Sequence, residues 1–178
     1  MITSIKELPV FDTIHFGNYA KPEDLLTALK LASCGRTEFG EGCFHKITLS
    51  APQKLELVLL SLEELGFSEE EGIFNISSRE DDVDYAKVMS AGLALGLGLC
   101  PQDTAARIRL RYVGKPSEAP IIPIMIPIIS ETVDQLPLIF RLFTDRDGRN
   151  ILGSRFVCSR KNGLERGSKC LFVRPLTE

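Results

Sequence analysis

Hydrophobic positions recur at helical spacing mainly in the first hundred residues and at strand spacing mainly after them. Val10, Ile14 and Phe16 alternate loosely, which predicts a first strand within PVFDTIHFG, closed by a turn at Gly17-Asn18. Pro22 is a favoured first helical residue, and Glu23 and Asp24 stand where the positive end of a helix dipole stabilises them. Leu25, Leu26, Leu29 and Ala32 then make one apolar stripe and Gly35 ends it, so a short amphipathic helix is predicted. Residues 36–45 read as loop and HKITLS as a short strand. KLELVLLSLEELGF fits two periods. Leu55, Leu57 and Leu59 alternate, whereas Leu55, Leu59, Leu62 and Leu65 are spaced as on a helix. The expectation is a buried strand ending near Leu60, then a turn or short helical piece to Gly66.

Ser77 and Glu80 are three apart and fit a capping box, with Asp81, Asp82 and Asp84 loading the first turn. Tyr85, Met89, Gly92, Leu95 or Gly96, and Leu99 recur at helical spacing, so the main helix is expected over 79–97, ahead of Pro101. RIRLRYV alternates most cleanly. As a strand over 107–113 it would face Ile108, Leu110 and Tyr112 one way and Arg107, Arg109 and Arg111 the other. Leu95 and Leu110 are accordingly expected in the core. IIPIMIPII is strand-like, but Pro123 and Pro127 lack an N–H, which favours an edge position or a bulge. LPLIFRLF, the Asp147-Gly148 turn, RFVCSR, Asn162-Gly163 and KCLFVRP read as a C-terminal antiparallel meander. The expected fold is α+β: two main helices in the N-terminal half pack on a mainly antiparallel sheet that the C-terminal β-meander completes.

Composition narrows the setting. With 178 residues, 44% hydrophobic and 25% charged, residues 1–178 are expected to form a single globular domain that needs no disulfide or structural metal. MITSIKELPVF lacks the marks of a signal peptide, and the apolar runs AGLALGLGLC and IIPIMIPII fall well short of the roughly 20 residues that span a bilayer. The expectation is a cytoplasmic chain without a membrane partner. The cysteines Cys34, Cys43, Cys100, Cys158 and Cys170 are odd in number and contain no CxxC, which points to reduced thiols. Net charge is −3 but unevenly placed. Residues 61–84 hold nine acids and one base, and residues 141–178 hold nine bases and four acids. Such a split suits an anionic partner, such as another protein, at the basic end, or two faces that attract each other within the fold or in self-association.

FGNYAKPEDLLTALK, LVLLSLEELGF, LGLGLCPQDTAARIRLRYVGKP, IMIPI and FVRP resemble a family of small, uncharacterised bacterial proteins. Its members read FGxY, then a leucine-rich helix, LGF, LGLxLCP with LRLxY, an MxPI string and FVR. The resemblance covers roughly residues 10–175 in patches, and the middle patch is the specific one. It implies a common fold and a bacterial origin, with no activity to carry over. Family members often carry tryptophans near the C-terminus, and this chain has none.

Candidate chemistry is sparse. Gly92, Gly96 and Gly98 end a helical pattern instead of following a strand and opening a helix, so they serve close packing or helix termination, not a nucleotide. Cys43 and His45 place a thiol and an imidazole on what would be one strand face, as a cysteine nucleophile requires, though an ordinary loop cysteine explains Cys43 as well. Asp145-Arg146-Asp147-Gly148 begins like a calcium loop but lacks the later ligands, and reads as a hairpin turn. No metal or other cofactor is expected. Arg107, Arg109 and Arg111 are the one polar cluster suited to an anion or partner, because guanidinium binds phosphate or carboxylate bidentately. The alternative is a solvated sheet face paired with the acidic segment. A pI near 5.5 and the lack of aromatics among the basic residues argue against nucleic acid. The functional expectation is a non-catalytic bacterial interaction or regulatory module. The alternative is a small hydrolase or transferase whose Cys43, His45 or carboxylates assemble only in three dimensions.

Overall fold

Pro22 opens helix α1 (Pro22–Leu31), where Asp24 Oδ2 accepts from the Lys21 N–H at 3.2 Å and Leu25 and Leu29 are wholly buried. The computed structural model describes residues 5–37, 41–67, 83–113, 118–129, 136–157, 164–165 and 167–175. Among them are two further α-helices, α2 (Tyr85–Ala94) and α3 (Thr104–Arg111). The strands are β1 (Asp12–His15), β2 (Gly35–Arg36), β3 (Lys54–Ser61), β4 (Ile121–Pro123), β5 (Ile128–Ile129), β6 (Pro137–Thr144), β7 (Asn150–Phe156) and β8 (Lys169–Arg174). All eight join one sheet in the order β1-β3-β8-β4-β6-β7-β2, with β5 paired to β6 off that path. Only the β2–β7 and β4–β8 pairings are parallel. The molecule is thus α+β with a mostly antiparallel sheet.

The ambiguous KLELVLLS is a strand. It runs between β1 and β8, so Leu57 and Val58, on opposite faces, are both fully buried. A strand covered on both sides shows a continuous apolar run, which is why its periodicity misleads. The chain leaves β3 through a turn held reciprocally: Ser61 N–H donates to Glu64 Oε2 at 2.7 Å, and Glu64 N–H to Ser61 Oγ at 3.2 Å.

Helix α2 is capped by Asp84, whose Oδ1 accepts from the Ala86 and Lys87 N–H groups at 2.8 and 3.4 Å. The capping box expected at Ser77 and Glu80 lies outside the described residues. Gly96, at φ +83°, ends the helical region. Gly92 lets α2 sit directly on β8, since a Cβ there would lie 2.1 Å from Phe172 Cε1. Tyr85 fastens the start of α2 to the chain after β4: its hydroxyl donates to the Met125 carbonyl at 2.6 Å and accepts from the Met125 N–H at 2.8 Å. Helix α2 covers the sheet face that carries Phe172. Helices α1 and α3 pack together on the other, where the Phe44 ring of a 3-10 turn (Phe44–Lys46) meets Phe140 at 5.7 Å.

Several expectations are corrected. RIRLRYV is not a strand; its first five residues lie in α3. Ala105, Ala106, Arg107 and Leu110 favour helix, and Asp103 and Arg107 form an i,i+4 pair that stabilises it. Leu95 and Leu110 are half-buried, while Val88 and Ile108 take the core positions. HKITLS is no strand: His45 and Lys46 end the 3-10 turn, and residues 47–50 have no regular structure. The meander stops after one hairpin. β6 and β7 pair through the turn at Asp145–Gly148, but β8 inserts between β3 and β4. Cys170, Leu171 and Phe172 are all fully buried, so β8 needs neighbours on both edges and both faces. β4 in turn lies inside the sheet, not at its edge. Its proline is tolerated because β4 is three residues long, and the ladder continues from Ile124 N–H to the Leu171 carbonyl at 2.9 Å.

Candidate functional site

Helix geometry separates the three arginines. At about 100° per residue, Arg107 and Arg111 share a side and Arg109 points away from both. They form no row, and each meets a different environment.

Arg107 is structural. Its Nε donates to Asp103 Oδ2 at 2.7 Å, and its Nη1 donates to the His15 carbonyl at 3.3 Å and to Asn18 Oδ1. Asp103 is 0% exposed, and its Oδ1 accepts from Ser50 Oγ at 3.2 Å. The guanidinium also stands over the rings of Phe16 and Tyr19, at 4.9 and 5.3 Å from their centroids. Arg107 therefore ties the chain between β1 and α1 to α3. Arg111 is half-exposed and pairs with Asp12 Oδ2 at 2.9 Å. The acids that pair with these two arginines are Asp103 and Asp12, not members of the acidic segment, of which residues 68–82 lie outside the described ones.

Arg109 differs. It is 3% exposed and has no carboxylate partner among the described residues. Its Nη2 donates to the Ile151 carbonyl at 3.2 Å, while its buried Nε has no acceptor. Burial lowers its pKa, countered in part by the neighbouring Cys34. A position in the last turn of α3 supplies some compensation, since the negative end of a helix dipole is worth at most about 2 kcal/mol to a cation. Taking an ion out of water costs on the order of several kcal/mol. The described residues thus leave this charge incompletely matched.

The same guanidinium lines a cavity of about 300 Å³ between α3 and the sheet. Ile108, Arg109 and Tyr112 form its roof. Ile121 pairs with Leu142 on one side and Lys169 on the other, so these three side chains make one row of its floor. Leu59 lies opposite Leu171 and joins the same face. Phe11 closes one end, its ring 5.9 Å from that of Tyr112. Glu118 and Ala119 approach from the segment entering β4. Apolar walls with few polar groups and convergence of several elements are the usual marks of a small-molecule pocket, and this volume is at the low end of their range.

Cys43 and His45 contribute nothing to that wall. Cys43 precedes the 3-10 turn and is buried, and burial pushes its thiol up; His45 is exposed on the turn. A raised pKa means less thiolate and a weaker nucleophile. Asp145 and Asp147 both pair with Arg149, at 2.9 and 2.8 Å, which fits a hairpin turn. No group of three or more His, Cys, Asp or Glu able to hold a metal occurs among the described residues.

Cys34, Cys43, Cys100 and Cys170 are free and buried; Cys158 lies outside the described residues. Burial raises the Cys100 thiol strongly and pushes Cys170 up to about 12. At about pH 8 both therefore remain thiols, and alkylation needs thiolate. Iodoacetamide should label Cys100 and Cys170 only after denaturation, and non-reducing mass spectrometry should then find five alkylated cysteines. An intrachain disulfide, or fast native labelling of Cys100, would contradict this.

The cavity residues Phe11, Leu59, Ile121, Leu142 and Lys169 were not legible as a site, because only strand register brings them together. No family model, curated protein or solved structure matches this chain.

Proposed function

We propose that this chain is a non-catalytic regulatory module that holds a small, largely apolar ligand between α3 and the sheet. The observation that carries the reading is the cavity of about 300 Å³ walled by α3, β3, β4, β6 and β8. A ligand there touches α3 from below and the floor strands from above. It favours whichever arrangement of α3 fits it best, and binding biases the arrangement only by that difference in affinity.

Methyl-resolved NMR tests this with benzyl alcohol and benzoate as probes. The Leu59, Ile121 and Leu142 signals should shift saturably, and thermal stability should rise with probe concentration, as for any ligand selective for the native state. Ala119→Trp, which adds bulk to the cavity lining, should abolish the shifts while leaving the spectrum folded. Shifts confined to other residues, or no saturable shift with either probe, would refute the reading.

A further inference from the structure

The cavity holds one feature that apolar binding does not use. Arg109 is 3% exposed, keeps a buried Nε without an acceptor, and meets no carboxylate among the described residues. The two arginines flanking it in sequence each have their own acid: Arg107 has Asp103 and Arg111 has Asp12. A guanidinium carries five N–H donors and no acceptor, and it stays charged at physiological pH. The Ile151 carbonyl takes one of those donors.

We infer that Arg109 is a carboxylate receptor, and that the cavity takes a small monocarboxylic acid with an aromatic or aliphatic body. This rests on reading the cavity as a ligand pocket. The ligand's carboxylate supplies the counter-charge that no described residue provides, and Ile108, Leu59, Ile121, Leu142 and the rings of Phe11 and Tyr112 hold its body. The charge count selects a monoanion. Lys169 and Glu118 are exposed cavity residues of opposite sign, so they cancel and leave the single buried guanidinium to be matched. A phosphate dianion would leave one charge unmatched in a low-dielectric setting.

The test compares benzoate, benzyl alcohol and phenyl phosphate by calorimetry on the full chain, with Arg109→Gln and Arg109→Met beside it. Benzoate should bind about tenfold or more tighter than benzyl alcohol, the difference expected for a hydrogen bond to a buried charge. Both variants should lose this preference while still binding the alcohol, which also shows that their pockets remain folded. Equal affinity for benzoate and the alcohol in wild type overturns the carboxylate assignment and leaves the pocket reading standing. So does a preference that survives Arg109→Met, or phenyl phosphate binding more tightly than benzoate. If no probe binds wild type, both fall together. Should the two variants fail to fold, the wild-type ratios alone still decide.

Discussion

Replacing Asp103 by Ala should destabilise the protein by about 3–5 kcal/mol, the cost of stranding one partner of a buried ion pair. Asp103 is wholly buried, and its carboxylate is held by Arg107 Nε at 2.7 Å and Ser50 Oγ at 3.2 Å. Without it the buried guanidinium keeps the His15 carbonyl, Asn18 and two ring faces, none of which carries a negative charge. Asp103→Asn should cost less than Ala but still weaken the fold, since shape survives and charge does not. The double change Asp103→Leu with Arg107→Met should recover most of the loss, because removing both charges also removes both desolvation costs. Urea unfolding of the wild type and the three variants measures this. A chain of this length shifts its midpoint by roughly 2–4 °C per kcal/mol, so thermal melts give a second reading. A loss below about 1 kcal/mol in Asp103→Ala would mean that Arg107 is solvated or paired elsewhere.

Phe172→Ala should cost about 3–5 kcal/mol, as for other large aromatic truncations in a packed interior. Phe172 is fully buried on β8, flanked by β3 and β4, and its ring lies against Gly92 of α2. The reciprocal change, Gly92→Ala, should cost about 1–3 kcal/mol, because the added methyl would overlap Phe172 Cε1 and Cζ at 2.1 and 2.3 Å. Helix propensity returns only about 1 kcal/mol at that position. The double variant should be more stable than the sum of the two losses predicts, since the methyl added at position 92 would occupy space the ring vacates. Strict additivity by denaturant titration would show that α2 does not rest on β8 as described.

Much of the architecture follows from local pattern. α1 is predicted from Pro22, Glu23, Asp24 and the leucine stripe, and the helix runs Pro22–Leu31. The β6–β7 hairpin follows from its strands and the Asp147-Gly148 turn, and β3 ends one residue beyond Leu60. RIRLRYV shows where pattern fails. Its strict alternation matches a strand, but the segment is short, and Asp103, Ala105 and Ala106 ahead of it carry the helical signal. An arginine row expected on a sheet face became three arginines of a helix, Arg107 and Arg111 on one side and Arg109 on another, with Arg107 and Arg109 buried.

What the sequence determined by itself is the local content: which stretches are strands or helices wherever period, cap and turn agree, and an apolar supply large enough for a core. Tertiary structure alone decided that β8 enters beside β3 and β4, that Asp103 meets Arg107 out of reach of water, and that Arg109 lines a cavity while forming no ion pair among the described residues. The physical reason is range. Periodicity and capping act over a few residues, whereas pairing and burial depend on partners tens of residues apart: Leu59 and Leu171, or Ile121, Leu142 and Lys169. A charge on an arginine is legible anywhere in a sequence. Whether that charge is matched depends on what the fold brings beside it.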